Sequence, residues 1–242
     1  MRQACLALLM WLVTAGVSSA QESTTEFWPE VDLWWKVSPT WRLSLFVPIS
    51  KNIETAYREG NIILQGDHAF GKTRWFRRRL LDENRSQTMK IMLVRGGYLG
   101  GASLGDGGEA YTERTVFTEW HVRTPVRGGI LLQQRLRNDL RWLGDPADLS
   151  TRWRYRMQVE REHQVGRTSV VPFVNGEAFF DSRYETINRI RTSPGASVSW
   201  SPRLAVEGNL TYQYDSRSST THLLALNVIL HVYFETGRAR KR

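Results

Sequence analysis

Apolar and polar residues alternate along most of the chain, and the alternation is clearest in the segment 152–162. One face of this segment is apolar and consists of Trp153, Tyr155, Met157 and Val159. The intervening residues are arginine, glutamine and glutamate, which makes the opposite face densely charged. Because successive side chains of a strand point to opposite faces, the segment is predicted to be a β-strand. The same alternation recurs down the chain and indicates a closed barrel with lipid outside and a polar interior.

The recurring pattern predicts an all-β fold, an antiparallel transmembrane β-barrel of about 12 strands, with about 10 strands as the alternative. The predicted strands cover residues 27–37, 41–50, 61–70, 74–81, 88–99, 111–123, 129–142, 152–162, 168–181, 186–200, 203–215 and 221–234. Between residues 61 and 99 the pattern fits either one long strand or two, and an even strand count favours two. Residues 100–110 carry five glycines and are expected to form the longest flexible loop.

Charged residues occupy the predicted inward positions of neighbouring strands. The expected lumen network comprises Arg135, Arg137, Asp139, Arg152, Arg154, Arg156, Glu160, Glu177, Arg189, Arg191 and Glu207. One interpretation is that these charges pair and fill the barrel, because buried charges need partners and hydrogen bonds. The other is that surplus arginines line a narrow wet pore and attract anions. In both cases Arg154 and Arg156 are expected to meet Glu177 and Asp139, while the apolar face of the same strand contacts lipid.

The beginning of the chain has the pattern of a secretory signal peptide, predicted over residues 1–20. A short positive start precedes an apolar run at 4–17, and Ser18-Ser19-Ala20 supplies small residues before the expected cleavage. Cys5 lies inside this segment, so no disulfide or thiolate site is expected in the exported chain. Beyond Ala20 no apolar run is long enough for a membrane helix, so a spanning structure has to be a barrel. We expect the barrel over residues 21–234 and a basic tail over residues 235–242.

The net charge of +9 does not indicate a nucleic-acid partner, because the arginines alternate with apolar residues and glutamates instead of forming one exposed stripe. None of the five histidines stands at a recognisable hydrolase spacing from a serine. Glu119 and His121 share a strand face and could pair a base with an orienting group, but a hydrogen-bonded lumen pair is the simpler interpretation. With no His-x-x-x-His pair, we expect no metal and no cofactor.

Short motifs occur in a characteristic order along the chain: Gly97-Tyr98, Arg152-Trp-Arg-Tyr-Arg156, Asn175-Gly176-Glu177, Asn188-Arg189 and Tyr212-Gln213-Tyr214. In this order the chain resembles the outer-membrane β-barrel family catalogued as domain of unknown function 2490. Phe234 at the end of the last strand is similar to the assembly signal of outer-membrane barrels. The resemblance implies a Gram-negative outer membrane, with lipid, lipopolysaccharide and the barrel-assembly machinery as partners. It brings no established activity and no catalytic residues.

The sequence therefore predicts a non-enzymatic outer-membrane barrel of unknown substrate, either a structural barrel or a narrow channel with a charged lumen. A rival hypothesis is an outer-membrane enzyme that modifies lipid or lipopolysaccharide, which needs serine and histidine side chains close together near one rim. Another is a soluble periplasmic β protein that binds a ligand. A continuous apolar belt around the outside would argue against the soluble protein.

Overall fold

The computed structural model describes residues 23–71, 91–104, 112–144, 148–201, 203–218 and 221–235, and these residues form twelve β-strands. The strands are β1 (Ser23–Lys36), β2 (Trp41–Asn52), β3 (Arg58–Phe70), β4 (Met92–Ser103), β5 (Thr112–Val126), β6 (Ile130–Leu143), β7 (Asp148–Arg161), β8 (His163–Val165), β9 (Thr168–Asp181), β10 (Thr186–Ser199), β11 (Leu204–Asp215) and β12 (His222–Glu235). Nowhere in these ranges is there a helix long and apolar enough to span a membrane. The predicted signal segment, the predicted strand 74–81 and residues 236–242 lie outside the described residues.

Eleven long strands close into a barrel. Each strand pairs with its neighbour along the chain, except that β7 pairs with β9, because the short β8 pairs only with β9. The barrel closes between β1 and β12, where Ser23 lies opposite His222 and Lys36 opposite Glu235. These two strands run parallel, which is the geometric consequence of an odd number of strands in an up-and-down barrel. The all-β, mostly antiparallel barrel of about 12 strands is therefore confirmed, with eleven strands in the wall and the short β8 as the twelfth.

The region between residues 61 and 104 differs most from the prediction. β3 pairs directly with β4, and β4 includes Gly100 to Ser103, which we expected to belong to a flexible loop. The glycines of β4 serve close packing instead of flexibility. A Cβ atom at Gly97 would collide with the ring of Phe117, and one at Gly101 would collide with the side chain of Asn61. A high glycine count favours a loop, but tight cross-strand packing also requires glycine.

The two faces of the wall have opposite chemistry. The exterior exposes large apolar side chains, including Val31, Leu43, Leu64, Val116, Leu136, Leu140, Val174, Ile190, Leu210 and Leu226. The interior buries charged side chains, including Asp32, Arg42, Asp67, Arg95, Glu113, Glu119, Arg137, Asp139, Arg141, Glu177 and Asp215. This arrangement is the inverse of a soluble protein, whose charged residues are almost never fully buried unless they are paired. The alternation along the sequence thus separates an apolar outer surface from a charged interior.

The strand order defines two mouths. We call the end where β1 begins the N-terminal mouth and the end where β12 finishes the C-terminal mouth. Because the wall strands alternate in direction, the turns 182–185 and 216–218 lie at the N-terminal mouth. The turns at 127–129 and 166–167 lie at the C-terminal mouth, and there Gly128, Gly129 and Gly166 adopt positive φ angles of 82°, 76° and 63°. Glycine suits these turns because other residues rarely adopt that conformation.

Candidate functional site

A line of directly opposed interior residues alternates in charge across five neighbouring strands. Arg42 lies opposite Asp67, Asp67 opposite Arg95, Arg95 opposite Glu119, and Glu119 opposite Arg137. We call these five residues the charge ladder. Inward-facing residues at one height of a barrel become direct neighbours once the strands pair, so the ladder follows from register and alternation together.

The ladder residues are joined by hydrogen bonds as well as by charge. Arg42 donates to both carboxylate oxygens of Asp67, at 3.0 and 2.9 Å. Arg95 donates to Asp67 at 3.0 Å and to Glu119 at 3.1 Å. Arg137 donates to Glu119 at 3.1 Å. The contact of Arg42 with Asp67 is forked, and all of these hydrogen bonds join a guanidinium to a carboxylate group. Such charge-assisted hydrogen bonds are stronger than those between neutral groups.

Glu119 is the point where the ladder branches. Its side chain accepts hydrogen bonds from Arg95, Arg137 and, at 3.5 Å, Arg135. His121 Nε2 lies 2.9 Å from Glu119 Oε2, so the pair suggested by the sequence does form. The carboxylate that would orient His121 is, however, shared with three guanidinium groups. That sharing is typical of an ion-pair network, in which each buried charge needs several partners.

Glu177 on β9 is a second branch point, and its carboxylate is buried. It accepts hydrogen bonds from Arg135 at 2.6 Å, from Arg154 at 2.9 Å and from Arg156 at 3.3 Å. Arg156 lies directly opposite Glu177 in the strand register. Tyr155, between the two arginines of β7, is 46% exposed on the outer surface. Arg135 therefore links Glu119 to Glu177, and the network extends from β2 to β9.

Asp139 is fully buried and lies next to different arginines from those we expected. It accepts hydrogen bonds from Arg137 and, at 2.9 Å, from Arg152. Arg154 and Arg156 both contact Glu177 as expected. The described donors to Asp139 are other arginines, and the reason is register. Arg152 is the residue directly opposite Asp139, whereas Arg154 lies opposite Arg137. Alternation along a strand gives the inward face but not the height at which two strands pair.

Four arginines surround one buried aromatic ring inside the barrel. The guanidinium carbons of Arg152, Arg154, Arg189 and Arg191 lie 5.8, 4.7, 5.6 and 5.2 Å from the ring centroid of Phe179. Guanidinium groups at such distances are attracted to the face of the ring. Sequence reasoning missed this role for Phe179, although the residue has the same strand parity as Glu177 and Asp181. Interior phenylalanines thus separate arginines that would otherwise repel one another.

The remaining arginines of the expected network have their own partners. Arg189 donates to Asp215 through Nε at 2.8 Å, and its Nη2 lies 2.7 Å from the same carboxylate. Arg191 donates to the neutral side-chain amide of Gln213, at 2.6 and 3.2 Å. Both residues lie on β10, on the inner face of the wall. They extend the network from β9 toward β11.

The two remaining carboxylates of the expected network belong to separate groups. Gln158 donates to Glu160 at 2.6 Å, and Asn209 donates to Glu207 at 3.3 Å. His231 lies between Asp32 and Glu207, with its Nδ1 atom 3.1 Å from the Asp32 carboxylate. This last group spans the junction where β12 meets β1.

A cavity of about 550 Å³ opens at the N-terminal mouth, and we call it the vestibule. Its lining residues are Arg141, Arg152, Phe179, Asp181, Arg183, Tyr184, Asn188, Arg189, Asp215, Arg217 and Ser218. Five guanidinium groups thus face two carboxylates. In the turn 182–185, hydrogen bonds to the Asp181 carboxylate raise the pKa of the Arg183 guanidinium, which is therefore charged at any physiological pH. The vestibule is a cationic, partly open chamber above the densely paired middle of the lumen.

The predicted lipid-facing residues lie on the outer surface of β7. The side chains of Trp153, Tyr155, Met157 and Val159 are all exposed there. The Tyr155 hydroxyl donates to Gln134 on the neighbouring strand at 2.8 Å.

Across the ranges that the structure describes, no group of three or more His, Cys, Asp or Glu side chains is arranged to hold a metal ion.

Comparison with known proteins adds a family but no activity. A family model described as a protein of unknown function, DUF2490, matches residues 26–223, which is most of the chain and covers the barrel from β1 through β11. No curated protein and no solved structure matches the chain.

Proposed function

We propose that the chain, which belongs to the DUF2490 family, is an outer-membrane barrel whose lumen is closed at its middle by paired charges. In this proposal the protein is a non-enzymatic structural barrel and not an open channel. The observation that carries the proposal is the inverted wall, with an apolar exterior and a hydrogen-bonded network of charges inside.

The exterior supports a membrane location. Apart from β8 the strands are 12–15 residues long, and a tilted strand needs only about 9–11 residues to cross a bilayer. Exposed aromatic side chains lie near both mouths, where a membrane barrel carries its interfacial girdles. They are Phe180, Trp153, Tyr212 and Tyr214 toward the N-terminal mouth and Trp35, Trp41, Trp200 and Phe234 toward the C-terminal mouth. An apolar surface of this extent would be unfavourable in water.

The interior supports a closed lumen. Glu119, Asp139 and Glu177 expose at most 2% of their surface. Of the described arginines that contact them, all but Arg156 expose 13% of the side chain or less, and Arg156 exposes 31%. Charged side chains that line a wide aqueous pore would remain accessible to water. Here their charges are balanced by guanidinium–carboxylate contacts, which buried charges require. These contacts also engage Glu119, the carboxylate that an enzymatic hypothesis would pair with His121.

The location is tested by fractionation of cells that express the full chain. We expect the protein with outer membranes and expect unboiled samples to migrate differently from boiled samples on a denaturing gel. The signal-like segment 1–20 supports export, and a variant lacking it should stay in the cytoplasm. Recovery of the full chain as a soluble periplasmic protein would overturn the membrane proposal.

The closed lumen is tested by reconstitution in planar bilayers. We expect conductance near background for the parent and for Arg156→Ala, because one lost contact to Glu177 leaves the carboxylate with two other arginines. A steady anion-selective conductance in the parent, reduced in Arg156→Ala, would replace the structural proposal with a narrow channel.

A further inference from the structure

The arginines that line the vestibule differ from one another in how accessible they are. Arg141 and Arg152 are buried in its floor, where Arg141 donates to Glu113 at 2.8 and 3.2 Å and Arg152 donates to Asp139. Arg183 and Arg189 lie higher, and their side chains remain 37% and 30% exposed. The upper wall of the vestibule therefore presents guanidinium groups that a dissolved or membrane-bound ligand can reach.

Among the described residues that line the vestibule, five arginines outnumber two carboxylates. Asp181 pairs with Arg183 at 2.7 Å, and Asp215 pairs with Arg189 at 2.7 Å. Arg217 belongs to the turn that follows β11, and its backbone N–H donates to Asp215 at 3.0 Å. Its guanidinium carbon lies 5.8 Å from the ring of Tyr184, and no carboxylate of the described residues forms an ion pair with it. Arg217 is thus a cation at the cavity wall with an aromatic neighbour and without a described counter-charge.

The chemistry of these groups selects the ligand class. Guanidinium groups bind phosphate and carboxylate oxygens in a forked geometry, and several together favour an anion with more than one charge. A phosphate group provides three acceptor oxygens and close to two charges at neutral pH. The cavity volume of about 550 Å³ falls within the range of small-molecule sites.

We propose that the vestibule is a binding site for a phosphate-bearing anion, held by Arg183, Arg189 and Arg217 at the N-terminal mouth. The two Asp carboxylates orient Arg183 and Arg189, so these side chains are already in place before the anion arrives. The guanidinium carbons of Arg183 and Arg217 lie 5.2 and 5.8 Å from the ring centroid of Tyr184. The phosphate belongs either to a free phosphorylated molecule or to the headgroup of a membrane glycolipid.

The first experiment measures binding of tripolyphosphate to the purified barrel in non-ionic detergent micelles by titration calorimetry. We expect saturable binding that weakens as salt increases, because exposed ion pairs are screened. Arg217→Gln should weaken binding about tenfold, since a hydrogen bond to a charged group contributes that much. Arg217 does not pair with a described carboxylate, so the substitution should leave the unfolding transition unchanged. Arg167→Gln, an exposed arginine of the turn at the opposite mouth, is the matched control and should bind like the parent.

The second experiment separates the two sources of phosphate. Micelles that contain phosphorylated lipopolysaccharide are compared with micelles that contain a dephosphorylated form, with the same variants. A headgroup ligand predicts tight binding of the phosphorylated lipid, lost in Arg217→Gln, with weak binding of tripolyphosphate. A free phosphorylated ligand predicts tight binding of tripolyphosphate, lost in Arg217→Gln, with weak binding of the phosphorylated lipid. Absence of binding by both probes, or equal loss in Arg167→Gln and Arg217→Gln, would overturn the proposal and would leave the membrane location and the closed lumen untouched.

Discussion

Individual arginines inside the barrel differ in how many carboxylates they contact. We expect an arginine that contacts two carboxylates to contribute more to the free energy of unfolding than an arginine that contacts one. Arg135 is 13% exposed and bridges Glu119 and Glu177, whereas Arg156 is 31% exposed and reaches Glu177 alone. Arg135→Ala should lower the free energy of unfolding by about 3 kcal/mol, the cost of breaking a buried ion pair. Arg156→Ala should lower it by about 1 kcal/mol, since its contact is longer and partly solvated. Denaturant titration in micelles measures both, and equal losses would contradict the bridging role of Arg135.

Single residues on the outer face test the assignment of that face. Met157→Arg would put a charge on the exterior of β7 and should destabilise the inserted barrel by roughly 2–4 kcal/mol if the site lies near the bilayer midplane. Met157→Leu keeps the volume and the apolar character and should stay within about 1.5 kcal/mol of the parent. Folding into lipid vesicles, followed by gel mobility, measures both variants. An arginine variant that inserts as stably as the parent would mean that Met157 does not face lipid.

At the scale of strands, β4 shows how an interior aromatic residue is accommodated. Gly97 lies opposite Phe117, and the guanidinium carbon of Arg137 packs over the Phe117 ring, 3.9 Å from its centroid. Gly97→Ala should cost about 1–3 kcal/mol, because its Cβ would overlap the ring and the packed neighbours cannot give way. Gly96→Ala is the control, since its Cβ would meet only the Phe117 carbonyl oxygen at 3.9 Å. Thermal unfolding compares them, and equal midpoints for the two variants would contradict the steric argument.

The strands also show how far the sequence determines the structure. From Thr112 onward most outward positions are apolar and most inward positions are polar or charged, although Phe117 and Phe179 also lie inside. The inward positions of β6 and β7 therefore follow from alternation alone. Between 61 and 104 glycine obscures the pattern, so Asp67 and Arg95 were not recognised as members of the network. Arg42 was recognisable by parity, because its neighbours Trp41 and Leu43 are apolar. What alternation cannot supply is register, which depends on contacts between residues far apart in sequence.

For the whole molecule, the parallel junction of β1 and β12 can be tested with engineered cysteines. Leu33 lies opposite Val232 at this junction. In a Cys5→Ser background, which removes the single native cysteine, Leu33→Cys with Val232→Cys should form a disulfide, because directly paired positions satisfy its short Cα separation. Leu33→Cys with Leu226→Cys, six residues away along β12, should remain reduced. Non-reducing gel mobility measures both pairs, and cross-linking of the second pair alone would mean that the junction has another register.

The odd number of wall strands has a consequence for biogenesis. With eleven strands, Ser23 and Glu235 lie at opposite mouths, so in the proposed outer-membrane location the two ends of the barrel would face opposite sides of the bilayer. A barrel with an even number of strands keeps both ends on the side from which it was delivered. Here one terminus has to be translocated together with the loops of the far side before β1 can join β12. The parallel junction is therefore the part of the wall that we expect to form last. A bulky folded tag should stall insertion at one end of the barrel, ahead of Ser23 or after Glu235, and be tolerated at the other, whereas equal tolerance at both ends would contradict this order.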